Sequence, residues 1–124
     1  MSKSMSKTKR NLVAQKCDWH CAYCGVELNN TSLVVDHVIP KFDNGSNDIS
    51  NLLPSCRSCN STKGIKTLEQ FRFYTEFRNA VPNTNFSQSQ MEFLKQKSVL
   101  SFLGNFEKHI FYFEKLQQKQ AVVQ

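Results

Sequence analysis

Residues 33–63 read LVVDHVIPKFDNGSNDISNLLPSCRSCNSTK, and the rest of the chain is interpreted outward from them. Leu33, Val34 and Val35 form a short apolar strand signal that runs into Asp36-His37. Pro40 should end that strand, because it has no N–H to give to a ladder. A polar turn follows at Asp43-Asn44-Gly45-Ser46, then Asn51, the pair Cys56-x-x-Cys59, Asn60 and Lys63. An Asp-His pair alone carries almost no information, and a loop Asn usually only shapes a turn. Order and spacing say more: Asn51 lies 14 residues after His37 and Asn60 nine after that, inside a frame of cysteines. A carboxylate, a neutral imidazole and two amides beside a phosphate suit metal-assisted hydrolysis.

The frame is set by two tight pairs. Cys21-Ala-Tyr-Cys24-Gly25 is a knuckle signal, in which the spacing lets both thiolates turn to one ion and Gly25 permits the reversal. The second pair, Cys56 and Cys59, follows after 31 intervening residues, Gly25 through Ser55, so a folded segment must sit between the two. The expected site is a closed four-cysteine Zn²⁺ centre under residues 33–63; reduced structural cysteines are the alternative. Such an ion would add folding energy on the order of 10 kcal/mol. Cys17 falls outside the pairs and reads as a small buried residue or a free thiol. His20 adjoins a ligand, but four cysteines already complete a tetrahedron.

Taken together, Asp36-His37, Asn51, Asn60 and the two Cys-x-x-Cys pairs resemble the HNH endonuclease family over roughly Cys17 to Phe71. The resemblance implies a ββα-metal core, with Asp36 and Asn60 holding one catalytic divalent ion, Mg²⁺ or Mn²⁺. It implies His37 as the general base that activates water, and Asn51 as a brace that helps orient His37. The last position is Asn60 where name-giving members have His, and an amide oxygen suits a hard cation well. DNA is the implied substrate, double-stranded in expectation, with 5′-phosphate and 3′-hydroxyl ends. Neighbouring strand residues point to opposite faces, so Asp36 and His37 serve one phosphate only if the strand twists or ends there.

The chain has 124 residues, one domain's worth, and a formal net charge of +6. That balance suits a polyanionic partner. No apolar run is long enough for a membrane span and no secretory signal opens the chain, so the expected location is the cytoplasm of a bacterial or phage-infected cell. Residues 1–10 read as a disordered basic arm, either a solubilising end or extra phosphate contact. Residues 11–80 are expected to form the nuclease core, with Asn11 to Lys16 a short helix or strand and a helix from Cys56 to Lys63 stopped by Gly64. Thr67 with Gln70 reads as a capping box that opens a helix to about Asn79.

Residues 81–124 read as a helical extension packed on the core. Ser87 and Gln90 give a second capping box, Gly104-Asn105 a break, and Phe106, Ile110, Phe113 and Leu116 a last helical face that contains His109. The same apolar stripe would also serve a homodimer. The expected fold is therefore α+β: a zinc-bound ββα-metal core followed by C-terminal helices. Lys63, on the face of Asn60, is joined by Lys66 and Arg72 as expected nucleic-acid contacts. Two rivals from other classes remain: a non-catalytic zinc-stabilised DNA-binding module that uses those cations, and a helical partner-binding protein with a zinc-stapled head. Sequence preference, and nicking against double-strand cleavage, are not encoded in any pattern here.

Overall fold

The computed structural model describes residues 5–123, so the arm expectation for residues 1–4 lies outside the described residues. Two compact units emerge, one of residues up to 67 with those from 111 onward, the other of residues 68–110. The first begins with α1 (Lys7–Gln15), whose N-cap Ser6 accepts a hydrogen bond from the Lys9 amide at 3.2 Å. Lys7 to Arg10 are thus helical, which corrects the reading of residues 1–10 as one disordered arm: a capping serine and the buried pair Val13-Ala14 fix the helix in place.

β1 (Val34–His37) pairs antiparallel with β2 (Leu52–Ser55), with Asp36 opposite Leu53 and His37 opposite Leu52. β1 ends before Pro40, as expected, and every residue of β2 is buried. Between the strands runs a loop with short 3₁₀ turns at Lys41–Asp43 and Ile49–Asn51. Cys56 caps α2 (Arg57–Lys63), and Gly64, at φ +50°, ends it. α2 packs against β1, and α1 against β2. This is the ββα arrangement expected from the sequence, in an α+β chain with further helices after it.

The second unit holds α3 (Leu68–Ala80), α4 (Gln88–Gln96) and the short α5 (Leu100–Leu103). Ser87 and Gln90 form the full reciprocal capping box at the start of α4. Phe77 is the hub, edge-on to Phe73, Phe86 and Phe106 at centroid distances of 5.9, 5.1 and 5.3 Å. No helix among the described residues is long and apolar enough to cross a membrane.

The last helix departs from its expected start. Residues 104–111 form neither helix nor strand, and α6 spans Tyr112–Val123. α3 side chains occupy the backbone groups that a helix would need: the His109 amide donates to Glu76 and the Arg72 guanidinium donates to the His109 carbonyl. His109 is therefore not a helix residue. α6 belongs with the first unit, so the boundary expected at residue 81 falls instead on either side of residues 68–110. The Tyr112 and Phe113 amides donate to the Tyr23 and Ala22 carbonyls, and a Cβ on Gly25 would meet the Tyr112 ring at 2.9 Å.

Candidate active site

The knuckle forms because Gly25 takes φ +81° and its amide returns to the Cys21 carbonyl at 2.9 Å. Cys56 and Cys59 meet it from the start of α2. The four sulfurs of Cys21, Cys24, Cys56 and Cys59 all lie within 4.8 Å of one another, and Cys24 stands 3.8 Å from Cys56. Tetrahedral thiolates around zinc are separated by about 3.8 Å, given Zn–S near 2.3 Å, so these donors fit that ion closely. The Cys59 thiol, followed by the amides of Cys24, Cys56 and Tyr23, hydrogen-bonds the buried Cys21 sulfur and holds its pKa down at about 4 against burial. The same bond pushes Cys59 upward. Cys17 stays apart, buried, its thiol pushed up to about 11 chiefly by burial. His20 is likewise outside the cluster, with Nδ1 donating to the Asp18 carbonyl at 2.7 Å.

At the end of β1 the pleat separates two neighbours. Asp36 points inward and is 5% exposed; its Oδ2 accepts from the Tyr23 hydroxyl and lies 3.2 Å from the Lys63 ammonium. Burial, and after it the Asp36 charge, raises the Tyr23 pKa, so the phenol stays a donor. Phe111 and Phe113 hold that ring edge-on at 5.3 and 6.4 Å. Lys63 is fully buried and also donates to the His37 carbonyl at 2.9 Å. It is a counter-ion inside the fold, not the phosphate contact expected from its place on α2, because the helix face it shares with Asn60 turns onto β1.

Arg72 is corrected for a related reason. It is buried in the second unit, where it pairs with Glu69 at 2.9 Å and reaches the His109 carbonyl. Lys66 is half-buried, with Nζ donating to the Thr62 carbonyl at 2.8 Å.

His37 faces the other way. Its Nε2 lies 2.8 Å from the Asn47 side-chain oxygen. Asn51, buried, clamps the loop between the strands: Oδ1 accepts from the Ile39 amide, while Nδ2 donates to the Ile39 and Ser46 carbonyls. Among the described residues no hydrogen bond joins Asn51 to the His37 ring. Lys9 from α1 donates to the Asn47 carbonyl, and Lys16 to those of Ile49 and Leu52. Asn60, half-buried one turn before Lys63, makes no side-chain hydrogen bond among the described residues, and Oδ1 of Asp36 makes none either.

Two residues central to this geometry had no functional reading in the sequence. Tyr23 sits inside the knuckle and shows itself only as an aromatic between ligands; Asn47 is one polar loop residue among many.

Residues 21–66 match the sequence model of the HNH endonuclease family. A protein from the SPbeta prophage of Bacillus subtilis (strain 168), named for an HNH endonuclease, is 30% identical over 94 residues, which is 66% of this chain and 38% of that protein. The CRISPR-associated endonuclease Cas9 of Corynebacterium diphtheriae is 37% identical over 51 residues, 40% of this chain and 5% of its own length. The crystal structure of the type II-C Cas9 enzyme from Actinomyces naeslundii superposes with a TM-score of 0.50 at 19% identity, and covers 87% of this chain and 14% of that one. That last likeness is one of fold alone. This chain spans well under half the length of these relatives.

Proposed function

We propose that this chain is a divalent-metal-dependent endonuclease that hydrolyses DNA phosphodiester bonds, with His37 as general base. The observation that supports the reading is that His37 ends β1 and its backbone carbonyl accepts from Lys63 of the helix that bears Asn60, within the segment that matches the HNH family. A neutral imidazole there takes a proton from water as the water oxygen attacks phosphorus and the bond to the 3′ oxygen breaks. The products are a 5′-phosphate and a 3′-hydroxyl.

Asp36 Oδ1 and the Asn60 amide oxygen are the donors that fit a catalytic Mg²⁺ or Mn²⁺. A hard ion held by few protein oxygens leaves its other positions to water and phosphate. Once bound, it supplies neutralising charge to the phosphate and the leaving oxygen. Lys63 already balances Asp36 from within, so the site offers less negative charge than its carboxylate suggests. Asn51 acts on the loop rather than on the ring. The four cysteines serve a separate, structural Zn²⁺.

Burial of Lys63 and Arg72 weakens the rival of a non-catalytic DNA-binding module, which relied on both cations. A homodimer through the helical unit would bury Phe93 and Phe102, which are 56% and 86% exposed. The deciding test is plasmid cleavage with Mg²⁺ or Mn²⁺ against EDTA, repeated with His37→Ala. Cleavage should fall by about 10²-fold or more while DNA binding persists. Near-normal single-turnover rates in that variant would remove His37 from the role.

A further inference from the structure

We propose that Asn47 is a positioning residue for His37: its side-chain oxygen holds Nε2 as the protonated nitrogen and leaves Nδ1 as the atom that accepts a proton. This rests on His37 being the general base. The two groups lie 2.8 Å apart, and among the described residues the ring has no other hydrogen-bond partner. A neutral imidazole carries one N–H, and an amide oxygen only accepts, so this contact selects one tautomer. The opposite amide orientation would place an N–H donor against Nε2 and occupy the ring's basic lone pair. An imidazole held that way has no nitrogen left for water's proton, so the base role selects the oxygen.

A contact between exposed side chains orients a ring only if its own backbone is fixed. The chain around Asn47 is tied on both sides. Asn51 binds the Ser46 carbonyl at 2.9 Å, the Asp48 amide reaches the Ser46 hydroxyl at 3.3 Å, and Lys16 binds the Ile49 carbonyl at 2.8 Å. Lys9 donates to the carbonyl of Asn47 itself. α1 and Asn51 therefore act on the imidazole through Asn47, and Asn51 governs the ring only by way of this loop. Preorganisation of this kind raises turnover without adding affinity.

The experiment uses the full zinc-loaded chain with supercoiled plasmid and Mg²⁺, read as single-turnover rate and as DNA Kd. ¹⁵N spectra of the His37 ring at pH 8 supply a readout apart from activity. Asn47→Ala should lower the rate about tenfold with Kd and melting temperature unchanged. Asn47→Asp, which can only accept, should keep the rate within about threefold of wild type. The wild-type spectrum should show Nε2 protonated and Nδ1 unprotonated, and Asn47→Ala should average the two. An Nδ1-protonated wild type, an Asn47→Ala spectrum and rate like wild type, or an Asn47→Asp as slow as Asn47→Ala would each overturn the assignment. A wild type that does not cut DNA would instead sink the nuclease reading, while the ring spectrum would still decide the role of Asn47.

Discussion

The cysteine frame and the end of β1 both lie within residues 21–66, yet their side chains come together by opposite rules. In the frame, each Cys-x-x-Cys pair turns on itself, so residues three apart in sequence face one point. On the strand, residues one apart are driven to opposite faces: Asp36 goes in to Tyr23 and Lys63, His37 out to Asn47. Sequence proximity reports spatial proximity in a knuckle and misreports it on a pleated strand. The frame's geometry is local, whereas the surroundings of Asp36 and His37 depend on what α2, the loop and α6 bring from far along the chain.

Breaking the frame should have the largest effect. Cys21→Ser or Cys59→Ser should lose zinc and destabilise the fold on the order of 10 kcal/mol, the scale of small zinc-dependent folds. Metal analysis with a thermal melt checks this, and Asp36→Ala provides the contrast by keeping one zinc per chain. A cysteine variant with full zinc would remove the frame from one side of the contrast.

The inward side of the strand comes next. Lys63→Met leaves the Asp36 carboxylate buried without its cation, which should cost about 3–5 kcal/mol in denaturant unfolding. A loss below about 1 kcal/mol would mean that Lys63 is not the internal counter-ion. Tyr23→Phe deletes one donor to the same carboxylate and should cost about 1.5–3 kcal/mol. A neutral outcome by the same measurement would show that the phenol contributes packing alone.

The smallest test concerns a cysteine outside both regions. With its thiol pushed up to about 11, Cys17 should be alkylated at pH 8 on the order of a hundredfold more slowly than an ordinary exposed thiol. Mass spectrometry of the zinc-loaded chain reads this directly; rapid labelling would mean that the site opens.

Much of the first unit was legible. Val34 to His37, the Pro40 stop, the Gly64 stop and both cysteine pairs are local signals, and the structure keeps each of them. The Ser87–Gln90 box was legible for the same reason. What escaped notice was tertiary. Lys63 and Arg72 read as surface cations because charge in sequence says nothing about a buried partner, and theirs are Asp36 on another element and the His109 carbonyl. The stretch from Phe106 had helical spacing, but Glu76 and Arg72 claim the backbone of His109. Asn47 gave no signal because its role depends on where three other residues hold its loop.

The return of α6 to the knuckle has a consequence for synthesis. Phe111 and Phe113 brace Tyr23, and the Phe113 amide binds the Ala22 carbonyl at 2.8 Å. A ribosome that has released residues 21–66 has therefore not released all the parts that close around them. At about 5–20 residues per second, the remaining stretch takes several seconds to emerge, and residues 68–110 are free to fold as a unit meanwhile. Residues 21–66 therefore stay without these braces until residues 111–113 have emerged, however early the hairpin and the knuckle form.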